Sequence, residues 1–557
     1  MIPRPARPDR SLPVLDVPPP APSAPREPFA APDPRLAEYR PDALAMPAFW
    51  IWTLGCQMNR SDSEEMAGRL LAAGCPEAPS MDAAGIIVIN TCAIREAAEA
   101  KVIGRQGQLA RLKHADPGLR VVLTGCAVRE RDRAGLSRRF PAVDLFLRPD
   151  EEPEIVSRLG LASAQASIGE GVSVAATTMA GRVAVSDAVN LARSRASVVA
   201  ESAVARTSTI SAWLPIVYGC DKTCTYCIVP FSRGPERSRP FDDVVAEAAS
   251  LVEAGYREVT LLGQNVNSYG HDLPAEARFA HVREARRTGR RLDREGRPDL
   301  AELITRIDGL RAVDGLPGIP RLRFVTSHPW DLSDRLIQVL ASADSVCEHL
   351  HLPVQSGSDG MLRRMGRQYT VEHYLERLAS IRRAVPGIAI STDVIVGFCG
   401  ETEAEFEATL DLLREVAFDQ VFAAAYSERP GTPATRMADD VPAEEKRRRL
   451  NRLLEVQERI GHERNQAWLG RTTEVLVDTI SRDPSHEHDE GDDPAAEVPF
   501  TRLETGPGRV RLAGRTRGNK LVHFAGSPDL LGRFVDVRID HAGPYSLRGS
   551  LGVVAPA

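Results

Sequence analysis

From Phe49 onward, short apolar runs alternate with longer stretches whose apolar residues recur every three or four positions. FWIWTLGC, GIIVINTC and LRVVLTGC have strand length, helical segments run from Asp62 to Ala73 and from Arg95 to His114, and VDLFLRP at 143–149 adds a strand. Continuously apolar strands between amphipathic helices predict a parallel, doubly wound sheet, because a parallel strand is covered on both faces. A second series begins at LPIVYGC and continues through EVTLLG, LRFVTSH, HLHLPV, IAISTDVIVGF and QVFAAAYS. Between its first strands, FDDVVAEAASLVEAG sets Val244, Val245, Ala248, Leu251 and Val252 on one helical face, with Asp242 and Asp243 favouring the positive N-terminus. Six β-α units in series predict a partial (β/α)6 barrel. Past the Arg-rich helix EEKRRRLNRLLEVQERIGHERNQAWLG, the strands TTEVLVDTI, GRVRLAG, KLVHFAG and RFVDVRI predict a small all-β domain.

The pattern breaks where Pro, Ala, Ser and acidic residues accumulate. Residues 1–47 hold too little β-branched and aromatic content to offset the entropy of ordering and are expected to be a disordered tail. The expected order is then an α/β domain at 48–158, a linker at 159–210, the barrel at 211–468 with a surface insertion at 271–297, the β domain at 469–545 and a tail at 546–557. The acidic loop SHEHDEGDDPAAE reads as solvated, its His486 and His488 lacking the Cys partners and fixed spacing of a metal site.

Composition narrows the chemistry. The 557 residues are 43% hydrophobic and 26% charged with a net charge of -6, which argues for several cores and against a general polycation. No apolar run approaches membrane-spanning length and the N-terminus lacks a signal-peptide core, so a cytoplasmic location is expected. Nine cysteines in such a chain point to metal ligation rather than disulfides.

Six of the nine form two trios. Cys220, Cys224 and Cys227 follow the first barrel strand as C-x3-C-x2-C, in YGCDKTCTYC. Three thiolates on one tight loop hold three irons of a 4Fe-4S cluster and leave the fourth open to chelate the amino and carboxylate groups of S-adenosylmethionine. A zinc knuckle would need a further Cys or His nearby. Tyr226, beside the third Cys, suits packing against the adenine of that cofactor. Cys56, Cys92 and Cys126 each end an apolar strand, in TLGC, INTC and LTGC, so all three meet at the carboxyl edge of one sheet and suggest a second cluster. Glycine before two of them is expected to free the backbone to approach a cofactor. Cys75 and Cys347 lack such companions and read as inert.

Taken together, LGCQMN, NTCAIRE, GCDKTCTYCIVPFSRG, GQNVNSYG, TSHP, HLPVQSGSDGMLRRMGRQYT, STDVIVGF and YSERPGTPA closely resemble the radical S-adenosylmethionine methylthiotransferases of the MiaB type, which act on tRNA, over about residues 48–545. The C-terminal unit resembles a TRAM domain, an RNA-binding barrel. The resemblance implies two 4Fe-4S clusters, with the one on Cys56, Cys92 and Cys126 supplying sulfur. It also implies methylthiolation at C2 of N6-isopentenyladenosine beside the anticodon. Gly263, Gln264 and Asn265 fall where the superfamily binds the methionine amino group, and Gln355 and Asp393 are candidates for the rest of the cofactor. Sister families, modifying a ribosomal-protein aspartate or threonylcarbamoyladenosine in tRNA, carry other residues after the first Gly-Cys. Cys399 stands where the family has Pro and is expected to be a tolerated substitution.

The expected partners are tRNA and an electron donor such as flavodoxin or ferredoxin, with the chain a monomer. Arg509, Arg511, Arg515, Arg517 and Lys520 lie in a stretch without acidic residues, a footprint for phosphate, and Arg233, Arg237 and Arg239 stand just past the barrel cysteines as guides for the anticodon loop. The rival from another class is a non-catalytic RNA-binding scaffold with structural metal.

Overall fold

The computed structural model describes residues 46–92, 96–129, 133–161, 204–282, 295–480 and 509–552. The expected tail before Ala45, most of the linker, the centre of the 271–297 insertion and the loop carrying His486 and His488 fall outside these residues.

Strands β1 (Phe49–Thr53), β2 (Ile86–Asn90), β3 (Arg120–Thr124) and β4 (Leu145–Phe146) form one parallel sheet in that order. Helix α1 (Gln57–Ala72) leaves β1 and returns to its outer edge, where Glu77 makes a parallel bridge to Phe49. The Phe49 N–H donates to the Pro76 carbonyl at 2.8 Å, and the Ala78 N–H to the Phe49 carbonyl at 2.7 Å. Only then does the chain cross β1 to begin β2, so the order of connections reverses there and the sheet is doubly wound, as the sequence pattern predicts. Met66 and Leu70 of α1 cover one face together with Ile155, while Val102, Leu109 and Leu136 from α2 (Glu96–Ala115) and α3 (Arg133–Arg139) cover the other. Every residue of β2 is buried, which explains its unbroken IIVIN.

The second unit contains six parallel strands, β5 (Ser211–Pro215), β8 (Glu258–Leu262), β9 (Arg321–Phe324), β10 (His349–His351), β11 (Ala389–Val396) and β12 (Gln420–Ala425). They form two three-stranded sheets, joined by a parallel bridge between Leu322 and Val346. The short pair β6 (Val217–Tyr218) and β7 (Arg237–Ser238) braces the loop after β5. Helix Phe241–Glu253 buries Val244, Ala248, Leu251 and Val252 as its periodicity predicts. Two stretches expected to lie loose on the surface are packed instead. Phe279 and Val282 of the 271–297 insertion join the barrel core, with Phe279 edge-on to Phe241 at 5.0 Å between ring centres. Part of the expected linker bonds to the first domain, where the Thr207 N–H and hydroxyl both donate to Glu64 Oε1, at 2.9 and 2.6 Å, while the Ser208 and Ile210 carbonyls accept from Tyr256 and Arg257 of the six-strand unit.

The third unit is a closed barrel of five strands, β13 (Thr472–Ile480), β14 (Val510–Arg515), β15 (Leu521–Gly526), β16 (Phe534–Ala542) and β17 (Ser546–Leu551), in the order β13-β14-β15-β17-β16. The expected tail at 546 is therefore wrong in its first half: β17 closes the barrel, buries Leu547 and pairs with both β15 and β16. Its weakly apolar SLRGSL conceals this, because closure by main-chain hydrogen bonds needs few large side chains.

This barrel docks against the amino-terminal ends of the six-strand unit. Arg323 Nε donates to Glu258 Oε2 at 2.7 Å while its terminal nitrogens donate to the carbonyls of Thr516 and Arg517 at 2.8 and 2.9 Å. Arg321, 1% exposed, reaches Glu474 Oε1 at 2.9 Å and the Arg515 carbonyl.

Candidate functional site

The first trio sits at the carboxyl edge of the first sheet. Cys56 caps α1 directly after β1, Cys92 follows β2 and Cys126 follows β3, so Cys56 and Cys92 flank the point where strand order reverses and Cys126 lies one strand further on. Open α/β sheets bind ligands at such a point. Gly55 and Gly125 allow this convergence. A Cβ on Gly125 would lie 2.2 Å from the Thr91 carbonyl oxygen, and one on Gly55 would lie 2.8 Å from Asn59 Oδ1 and 3.0 Å from Cys92 Cβ. Both have left-handed φ, +92° and +149°. These glycines thus let the strand ends come together. Asn59 holds the arrangement: its Nδ2 donates to Asn90 Oδ1 at 2.7 Å, and the Cys56 thiol donates to its Oδ1 at 3.3 Å.

Burial pushes the Cys126 thiol up to about 12, with Arg233 opposing and Cys92 and Cys56 adding repulsion. Thiols placed this way become ligands only when a positive centre among them takes up their charge. The three thiols lie near enough for Cys92 and Cys56 each to act on Cys126. A cluster spreads its thiolates over separate irons, so this donor set fits a cluster.

The second trio follows β6 on a loop clamped from several sides. The Cys220 N–H donates to the Gly234 carbonyl at 3.3 Å, the Lys222 N–H donates to Cys220 Sγ at 3.4 Å, and the Cys227 N–H donates to the Cys224 carbonyl at 3.1 Å. Thr225 anchors the loop to Met365 and Arg364. Burial raises Cys227 to about 12 and raises Cys220 as well, with repulsion from Cys224 adding to both and from Cys227 adding to Cys220. The donor chemistry again fits a cluster on three thiolates.

Around this loop, at the carboxyl ends of the barrel strands, buried carbonyl oxygens of Gln264, Asn265 and Gln355 lack protein partners. They fit a bound group rich in N–H donors, such as the ammonium of S-adenosylmethionine. Asn265 Nδ2 is held by Asp331 Oδ2 at 2.7 Å, and Asp331 also takes Lys222. Gln355 has φ +72°. That conformation is rare outside glycine and concentrates at functional sites. Gly263 serves packing, since a Cβ there would lie 2.3 Å from Val217 Cγ1. Tyr226 lies edge-on to Phe398 at 6.3 Å between ring centres, and Cys399 is buried in the same apolar cluster. Asp393 approaches His351 Nε2 at 3.4 Å, beside the exposed residue Phe422.

The expected RNA contacts divide. Arg233, 5% exposed, faces inward: its Nε donates to Cys126 Sγ at 3.1 Å and its terminal nitrogen to Asp62 Oδ2 at 2.6 Å. Arg239 pairs with Glu247 and the Pro215 carbonyl. Arg517 clamps Glu348 at 2.8 Å, and Lys520, buried, lies 3.2 Å from Asp419, so both fasten the β barrel to the larger unit. Arg233 and Lys520, both buried, are corrected from RNA contacts to structural cations, and Arg239 and Arg517 are partly exposed but ion-paired within the protein, because charge in a sequence does not reveal which acid lies opposite. Arg237 and Arg509 are exposed, and Arg511 and Arg515 lie with Arg548 around His523. Two partners escaped the sequence reading: Arg367, buried, donates to Cys224 Sγ at 3.5 Å and to Tyr369, and Asn59 orients Cys56. A buried Arg within RRMGRQYT had no periodic or spacing signal to mark it.

Comparison with known proteins accords with this geometry. Residues 48–148 match the model of uncharacterized protein family UPF0004, 214–413 that of the Radical SAM superfamily and 505–551 that of the TRAM domain. A tRNA-2-methylthio-N(6)-dimethylallyladenosine synthase from Clostridium botulinum strain Langeland is 38% identical over 90% of this chain and 96% of its own. One from Carboxydothermus hydrogenoformans is 40% identical over 91% and 100%. Among solved structures, a radical S-adenosylmethionine methyltransferase from Kitasatospora setae, TsrM, aligns with a TM-score of 0.42 at 15% identity over 63% of this chain and 66% of that one. With both cysteine trios inside matched segments and near-complete coverage of these relatives, the chain belongs to the tRNA-2-methylthio-N(6)-dimethylallyladenosine synthase family.

Proposed function

We propose that this protein methylthiolates C2 of N6-isopentenyladenosine at position 37, beside the anticodon of tRNA, as a radical S-adenosylmethionine enzyme. The observation that carries the reading is the pair of thiol trios at the carboxyl edges of two parallel sheets, connected through Arg233. Sulfur insertion at an unactivated aromatic C–H needs both a radical generator and a sulfur source, which one cysteine trio could not supply together. When bound, the cluster on Cys220, Cys224 and Cys227 supplies the electron that cleaves S-adenosylmethionine to a 5'-deoxyadenosyl radical, and that on Cys56, Cys92 and Cys126 supplies the sulfur.

The chain's own residues bind and orient. Gln264, Asn265 and Gln355 offer buried acceptors to the ammonium of S-adenosylmethionine, and Asp331 fixes Asn265. Tyr226 and Phe398 wall the cofactor side of the barrel mouth. Arg509, Arg511, Arg515 and Arg548 present positive charge to the RNA backbone. An electron donor such as flavodoxin or ferredoxin would reduce a cluster held by Cys220, Cys224 and Cys227, and the proposed working form is a cytoplasmic monomer. No described helix is long and apolar enough to cross a membrane.

Purified chain with reductant and S-adenosylmethionine should convert isopentenylated tRNA to its 2-methylthio form, read by mass spectrometry of nucleosides. Methylthiolation of a ribosomal protein or of threonylcarbamoyladenosine instead would overturn the substrate assignment.

A further inference from the structure

Arg233 belongs to the barrel by sequence and to the other domain by contact. It ends the short helix Val229–Ser232 that follows Cys227, and its N–H donates to the Val229 carbonyl at 2.8 Å. Its side chain crosses to the first sheet, meeting Cys126 Sγ and Asp62 Oδ2. The next carbonyl, of Gly234, accepts the Cys220 N–H. Two consecutive residues therefore touch one cysteine from each trio.

A cation so buried, shared between one carboxylate and one thiol, has no solvent to screen it and does not trade partners freely. Surface salt bridges are interchangeable, but a guanidinium that binds a carboxylate with one nitrogen and a sulfur with another fixes both directions at once. Asp62 orients the fork and leaves Nε directed at Cys126. Glu152 lies close enough to contribute to the field, and it is held by the Thr124 hydroxyl at 2.6 Å.

We propose that Arg233 is a positioning residue for the auxiliary cluster, holding Cys126 in its ligand orientation across the domain boundary and tuning the cluster's reduction potential through its N–H···S bond. The inference rests on the cluster assignment of the preceding section. Hydrogen bonds to ligand sulfur and nearby positive charge stabilise the reduced state, so the potential is the quantity Arg233 controls. The same contact fixes the spacing of the two trios, since Cys220 hangs on the adjoining carbonyl.

The test uses the full chain with Cys220, Cys224 and Cys227 changed to Ala, so that only the auxiliary cluster is reconstituted. Iron and sulfide are measured, and an anaerobic redox titration is followed by electron paramagnetic resonance. Arg233→Met and Arg233→Lys are compared in that background; Lys retains charge against Asp62 and preserves the fold if Met does not. The expected result is a midpoint potential displaced to more negative values in Arg233→Lys, further in Arg233→Met, with an altered resonance line shape. A fully loaded cluster with unchanged midpoint and line shape in both variants would overturn the proposal. A parent chain that binds no iron and sulfide would overturn the cluster assignment itself, which is a different failure.

Discussion

Asn59 Nδ2 donates to Asn90 Oδ1 at 2.7 Å, and Asn90 Nδ2 returns the bond to the Asn59 main-chain carbonyl at 2.8 Å. This reciprocal pair is fully buried and ties the first turn of α1 to the end of β2, which sets Cys56 against Cys92. Replacing Asn90 with Leu strips partners from Asn59 and Ser63, leaving buried polar groups unmatched at about 1–3 kcal/mol. Asn90→Leu should lower the midpoint of denaturant unfolding and halve reconstituted iron, while Cys220, Cys224 and Cys227 still bind theirs. Full iron content would show that the pair does not organise the trio.

Gly125 gives a sharper local test. A methyl at this left-handed position would lie 2.2 Å from the Thr91 carbonyl oxygen, a main-chain atom that cannot step aside cheaply. Gly125→Ala should cost roughly 2–4 kcal/mol and depress iron binding at the first trio. Calorimetry and iron analysis check this, and a native-like melting temperature with two clusters' worth of iron would refute it.

Arg323 supports the docking of the two barrels. Arg323→Met leaves the mostly covered Glu258 without its cation and frees the carbonyls of Thr516 and Arg517, a loss of about 2–3 kcal/mol, below the roughly 3–5 kcal/mol for breaking a fully buried pair. The C-terminal barrel should then become a separate early transition in unfolding and an early product of limited proteolysis. One transition at the parent's midpoint would contradict this.

His523 gives the C-terminal barrel a pH dependence. Burial, then Arg511, Arg515 and Arg548, hold its imidazole down to about 4, against about 6.5 in an unfolded chain. The unfolded state therefore binds more protons between these values, so stability is full above about pH 6.5 and falls as pH drops toward 4. In His523→Leu the loss of melting temperature between pH 7 and 4.5 should be smaller than in the parent. An equal loss in both would remove His523 as the cause.

The sequence made the three folds and both trios legible because each leaves a periodic or spaced signal: the unbroken IIVIN, the C-x3-C-x2-C loop, and Cys at the end of three apolar strands. It hid what depends on contacts between distant segments. Arg233 and Cys126 are 107 positions apart, and Arg517 meets Glu348 across 169, so their charges read as surface when they are buried or paired. It hid β17 too, whose main chain rather than its side chains closes the barrel. The doubly wound topology was readable only as a class; the single bridge at Glu77 that produces the reversal has no pattern at all.

Division of labour between the two trios is the central claim, and anaerobic turnover of two triple variants tests it most directly. With Cys220, Cys224 and Cys227 changed to Ala, the site that cleaves S-adenosylmethionine is gone, and neither 5'-deoxyadenosine nor methylthiolated tRNA should form. With Cys56, Cys92 and Cys126 changed to Ala, 5'-deoxyadenosine should still accumulate while methylthiolated tRNA does not, and iron should fall by about half. Methylthiolated tRNA from the second variant would contradict the account.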